Sequence, residues 1–272
     1  MIMKKIVILL VLLISLSAGL YWQTPIQHWW QELNQPALPK AAVFKPAAGD
    51  STNEEPGVQI EPSVALAPAD SAAEPVKPDA SQLPVAYNLD VPFTPQAPQA
   101  DWNEIFKEAC EEASALMVHY YYAGKIFTPE TAEAEILKMV SWQKDNWGGH
   151  FDLSASRTAE LITQFLGYKK IEVLDHPTIK EIKGHIFHSR PVIIPAAGRE
   201  LGNPYFRSPG PVYHMLVIKG YTATQFITND PGTKRGQDFL YDYEVLLAAM
   251  HDWDGADIEQ GAKLALVIYP EK

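Results

Sequence analysis

The chain has 272 residues, 47% of them hydrophobic and 11% aromatic, with a formal net charge of −11. That length and composition support a folded core. The acidic balance excludes a nucleic-acid partner, which would need a basic face to displace counterions.

The first element is an apolar run over 6–22, preceded by Met1-Ile2-Met3-Lys4-Lys5. Lysines ahead of an apolar stretch favour an N-terminus in the cytoplasm and a body sent across the membrane. As a helix the run is about 25 Å long, close to a ~30 Å hydrocarbon core. Tyr21, Trp22, Trp29 and Trp30 suit the outer interface. Residues 1–34 are therefore expected to be a single-pass anchor in the cell membrane, with the rest outside the cytoplasm. The competing reading is a cleaved signal peptide, with Ser17, Ala18 and Gly19 near the cut, and a secreted product. No cysteine follows the run, which excludes lipid modification there.

From 35 to 84 Pro, Ala, Glu, Asp and Ser dominate. Such a stretch has too little apolar surface to offset ordering entropy, and its prolines keep it extended, so it reads as a linker. Residues 85–272 form one domain of ordinary size. A strand is expected over 85–94 and a helix over 108–124, where Leu116, Met117 and Tyr120 make a buried stripe. Pro129 opens a second helix to 140, and a third over 154–166 stops at Gly167. Strands are expected at 170–174 and 191–196 with a helix over 178–187 between them. Strands at 214–219 and 225–229, a helix over 243–250 and a strand at 264–269 complete the chain. Helices early and mostly antiparallel strands late indicate an α+β domain.

The two strands at 214–219 and 225–229 flank Gly220-Tyr221-Thr222-Ala223-Thr224. A hairpin centred on Thr222 sets His214 opposite Asp230, with Cβ atoms about 4.5–5.5 Å apart. A carboxylate there would accept the imidazole Nδ1 proton and leave Nε2 as base. Asn229, one residue off register, points to the other face. The bland alternative is that Asp230-Pro231-Gly232 is only a turn.

Cys110 is the single cysteine, which excludes an intramolecular disulfide and a thiolate zinc site. It stands where loop character gives way to an Ala-rich helix. Unpaired N–H groups and the positive end of the helix dipole would stabilise a thiolate there, while Glu111 and Glu112 oppose it. The order Cys110, His214, Asp230 is compatible with a thiolate–imidazolium pair assembled by folding.

Four motifs in this order carry a resemblance: Asp90-Val91-Pro92-Phe93-Thr94-Pro95-Gln96, Cys110-Glu111-Glu112-Ala113-Ser114, Tyr213-His214-Met215-Leu216-Val217-Ile218 and Asn229-Asp230-Pro231-Gly232. Together they resemble the double-glycine leader peptidases, and more closely the stand-alone bacterial relatives of those peptidases that lack a transporter. The resemblance covers most of 87–272. It implies a papain-like fold and cysteine-peptidase activity on a peptide or protein substrate. It also implies Cys110 as nucleophile, His214 as base, Asp230 as third member and Gln96 as oxyanion donor. Two departures stand out: Glu111 occupies a place where the family often has Gly, and Gln96 lies far enough before Cys110 that Gln99 is an alternative.

His119, His185, His188 and His251 have no carboxylate at a ligand-like spacing, the HExxH pattern is absent, and no glycine-rich phosphate loop occurs. No metal or cofactor is expected. His150 lies in a glycine loop that could line a cleft, and the irregular segment 198–211, with Tyr205, Phe206 and Arg207, is a candidate cleft wall. Readings that stay open are an NlpC-type cell-wall endopeptidase, a thiol acyltransferase, and a non-catalytic peptide- or wall-binding module.

Overall fold

The computed structural model describes residues 37–46, 83–255 and 257–270. The expected membrane segment at 1–34 and most of the expected linker lie outside them. Among the described residues no helix is long and apolar enough to cross a membrane. Contacts divide the chain between Leu38 and Pro39, and the helices and strands of the described residues belong to the unit Pro39–Lys272.

Helix α1 (Cys110–Ala123) follows a 3-10 turn at Phe106–Glu108. All its side chains from Cys110 to Val118 are buried, the mark of a helix running through the core rather than over it. Gly124, left-handed at φ 61°, ends it. Helix α2 (Pro129–Trp147) starts from a reciprocal Thr128–Thr131 capping box with Pro129 at its first position. It runs past its expected end at 140. The polar residues there hide a stripe that continues through buried Gln143 and an edge-on Trp142–Trp147 contact. Ser154 caps α3 (Ala155–Leu166), and a Thr178–Glu181 capping box starts α4 (Ile179–Phe187).

The strands are β1 (Tyr87–Asn88), β2 (Ile171–Asp175), β3 (Val192–Ala197), β4 (Tyr213–Tyr221), β5 (Gln225–Asn229), β6 (Phe239–Asp242) and β7 (Leu264–Ile268). Helix α5 (Tyr243–Ala249) follows β6 directly. The sheet order is β2-β7-β3-β4-β5-β6, with β1 added to β4, and each pairing is antiparallel. Every residue of β4 is buried, so this strand forms the middle of an α+β body. The strand expected over 85–94 shrinks to Tyr87–Asn88, because Pro92 and Pro95 cannot donate to a ladder. Strand β6 is not among the expected elements, since its four residues show no clean alternation.

One contact fixes how α1 meets the sheet. Ser114 Oγ, a turn after Cys110, donates to the carbonyl of Met215 at 3.1 Å. This bond ties the start of α1 to the start of β4, where His214 stands.

Part of the expected linker is not a linker. Ala42 bridges Leu89: its N–H donates to Asn88 O at 2.9 Å and its carbonyl accepts from Asp90 N–H at 2.9 Å. Phe44 then packs on the rings of Tyr121 and Tyr122, at 5.5 and 4.9 Å between centroids. Two aromatic contacts and two backbone bonds supply the burial that composition alone did not promise.

Candidate active site

His214 is the second residue of β4 and Asp230 follows the last residue of β5. The hairpin between them is centred later than Thr222: Tyr221 pairs with Phe226 and Val217 with Asn229, with an irregularity between Ile218 and Gly220. One step on from the Val217–Asn229 pair, Asp230 lies across from Leu216 rather than His214. It shares the imidazole's face and reaches the ring diagonally. Asn229 faces the other way and donates to Val91 O at 3.0 Å. The imidazole also sits opposite to expectation. Nε2, not Nδ1, bonds Asp230 Oδ1 at 2.7 Å, which leaves Nδ1 as the nitrogen free of that bond.

Asp230 is fully buried and surrounded by donors. Its Oδ1 accepts from His214 and from Gly232 N–H at 2.9 Å. Its Oδ2 accepts from Tyr241 OH at 2.6 Å and Asn203 Nδ2 at 2.9 Å. Burial alone would push this carboxyl up. The His214 imidazole, with the Tyr241 and Gly232 donors, outweighs that and holds it below the usual carboxylate range. Gly232 is required by close approach: a Cβ there would stand 2.9 Å from His214 Cε1. Neither Asn203 nor Tyr241 is among the residues the sequence singles out. The first lies in the irregular 198–211 segment, whose length was the available signal; the second lies on β6.

Cys110 is the first residue of α1, after Ala109, which offers no side-chain cap. Cys110 lines a cleft of about 600 Å³ together with His214, Gln96, Trp102 and Phe206. Tyr205 and Arg207 also line it, so the 198–211 segment is a cleft wall. The Phe206 ring packs edge-on against the imidazole at 5.3 Å. The thiol, however, donates to Glu111 Oε2 at 3.1 Å, while Glu111 Oε1 accepts from Leu153 N–H at 2.7 Å. Burial, then the charges of Glu111 and Asp152, push the Cys110 thiol well up, against the lowering expected of a helix N-terminus. Glu111 itself is pushed well up by burial, Glu112 and Asp152.

Gln96 lies in the cleft wall, its backbone N–H donating to Pro231 O at 2.9 Å. Its amide Nε2 donates to the carbonyls of Phe106 and Lys107, at 2.9 and 2.8 Å. Both amide hydrogens are therefore committed to the turn before Cys110 and neither points at the cleft. Gln99 is exposed, with its amide on Glu130. His150 Nε2 is 3.3 Å from buried Glu112 Oε1, which also accepts from Gln143. His119, His188 and His251 bond Tyr168 OH, Gly184 O and Gly261 O respectively. Among the described residues no three His, Cys, Asp or Glu side chains gather as a metal site.

The model of the "Peptidase_C39 like family" matches residues 88–254, which span Gln96, Cys110, His214 and Asp230. The chain belongs to this family. The C39-like body thus has a papain-like α+β fold, and its family is one of cysteine peptidases. No curated protein matches it. A crystal structure of a proposed C39-like peptidase from Bacillus anthracis is similar at 17% identity and a TM-score of 0.45, over 67% of this chain and 96% of that one.

Proposed function

We propose that this C39-like protein is an extracytoplasmic cysteine peptidase that hydrolyses a peptide or amide bond through Cys110, His214 and Asp230. The observation that carries the reading is the buried His214–Asp230 bond in the wall of the cleft that Cys110 lines. With Nε2–H held by Asp230, Nδ1 is the basic nitrogen. It takes the thiol proton, and the thiolate attacks the substrate carbonyl. The oxyanion rests on N–H groups of the uncapped first turn of α1, that of Cys110 included. The imidazolium protonates the leaving amine and water resolves the thioester. Gln96, in this reading, braces the turn that presents Cys110; it becomes an oxyanion donor only if its amide turns from Phe106 and Lys107 toward the cleft. Location outside the cytoplasm is proposed from the lysines and apolar run at the N-terminus.

Alkylation of Cys110 and cleavage of a mixed peptide library test the reading together. Cys110→Ala should abolish cleavage, and His214→Ala should lower it by at least about 10³-fold and remove the pH dependence of alkylation near neutrality. Unchanged alkylation in His214→Ala, with no cleavage by the wild type, would favour a non-catalytic peptide-binding module. The specific observation behind that second reading is the thiol's bond to Glu111 rather than to the imidazole.

A further inference from the structure

We infer that Glu111 is a second proton acceptor on the Cys110 sulfur, and that it sets the resting state of the centre as a neutral thiol. The inference rests on the reading of Cys110 as nucleophile but concerns a residue outside the proposed triad. Geometry carries it. The Sγ–H donates to Oε2 at 3.1 Å, and the other oxygen is fixed by the Leu153 N–H at 2.7 Å. Glu111 is fully buried, so it cannot swing away without leaving that N–H and its own carboxyl unpaired.

The surroundings reinforce the arrangement. Glu112 faces the pair from α1 and Asp152 from the loop before α3, with Glu108 of the 3-10 turn beside Asp152. From β4 come Tyr213, whose hydroxyl donates to Leu153 O at 2.7 Å, and His214 across the cleft. Asp252 holds the Ala155 N–H behind them, and His150 stands against Glu112. Carboxyls therefore stand close to Cys110, while Lys107, Arg207, Lys234 and the His214 imidazole line the same cleft. A thiolate facing an ionised Glu111 would place two negative charges at hydrogen-bond distance in a buried site, a strongly unfavourable arrangement.

The proton balance follows. In the resting thiol the S–H bond is intact and directed at Glu111 Oε2. Activation breaks S–H and forms N–H at His214 Nδ1, leaving a thiolate and an imidazolium. When Glu111 is protonated, its O–H donates to that thiolate and favours it; when Glu111 is ionised, it favours the thiol. Activation is thus easier below the titration of Glu111 and harder above it.

Glu111→Gln tests this directly. Gln keeps an oxygen for Leu153 N–H and turns an N–H toward sulfur, imitating the protonated acid. The apparent pKa of Cys110 alkylation by iodoacetamide should fall by about one unit or more, with roughly tenfold faster labelling near neutrality. An unchanged or higher value would overturn the inference. A second measurement needs no variant. Because the chain has a single cysteine, the wild-type infrared S–H stretch reports one oscillator. It should lie at the lower frequency of a thiol bonded to a carboxyl oxygen and vanish in Cys110→Ala; a band at the free-thiol position would overturn the inference even if Glu111→Gln fails to fold. If His214→Ala leaves alkylation unaltered while Glu111→Gln shifts it, the triad reading fails and the role of Glu111 stands.

Discussion

Helices α1 to α4 begin in two different ways, and the short α5, like α1, has no side-chain cap. Helices α2 and α4 start from capping boxes at Thr128 and Thr178, and α3 from Ser154, so their first-turn N–H groups are answered by their own side chains. Helix α1 starts from Ala109 with no such answer, and buries Cys110, Glu111 and Glu112 in its first turn. The first three are built for stability on the surface. The fourth keeps donors and field available at a sulfur in a cleft, and the buried glutamates show what that arrangement costs.

That contrast can be broken at several points. The largest effect is expected beside α1, at the carboxylate that orients His214. Asp230→Asn should lower turnover by about 10²–10⁴-fold, because an amide donor forces the imidazole to present the wrong nitrogen; activity within a few-fold of wild type would refute the triad geometry. Tyr241→Phe removes one of the donors on Asp230 Oδ2. It should slow turnover about tenfold and cost roughly 1.5–3 kcal/mol in urea unfolding, whereas a stability loss with untouched turnover would make Tyr241 a packing residue only. At the closed kind of helix start, Thr128→Ala should cost about 1 kcal/mol and leave Cys110 alkylation unchanged.

The smallest effect concerns pH. Asp152 is pushed up to about 7 by burial and by Glu108 beside it. A carboxyl raised on folding contributes stability that is present below its unfolded value near 4 and is lost as pH rises through about 7. Asp152→Asn should therefore raise the melting temperature at about pH 8 and change it little at about pH 4. An equal gain at both would show that the carboxyl's charge is not the cause.

Much of this was legible in the residues, for physical reasons that differ by position. Pro129 and Gly167 marked helix ends because only certain residues suit those backbone positions. The shared face of His214 and Asp230 followed from the period of two in a strand, which survives the irregularity near Lys219 in parity though not in register. The choice of imidazole nitrogen was not legible, since it depends on ring orientation set by Asp230, Gly232 and Phe206 together. Asn203 and Tyr241 were hidden because they approach Asp230 from distant parts of the chain. Glu111 was visible only as an unfavourable neighbour, and its bond to the sulfur required coordinates.

The bridge between Ala42 and Leu89 has a consequence for the acidic, proline-rich stretch at 47–82. Residues 42 and 89 meet on the body, so the path from residue 42 to the cleft is set by that bridge. Lengthening the chain between those two residues by half would add only about 0.4 kcal/mol of closure entropy to the bridge.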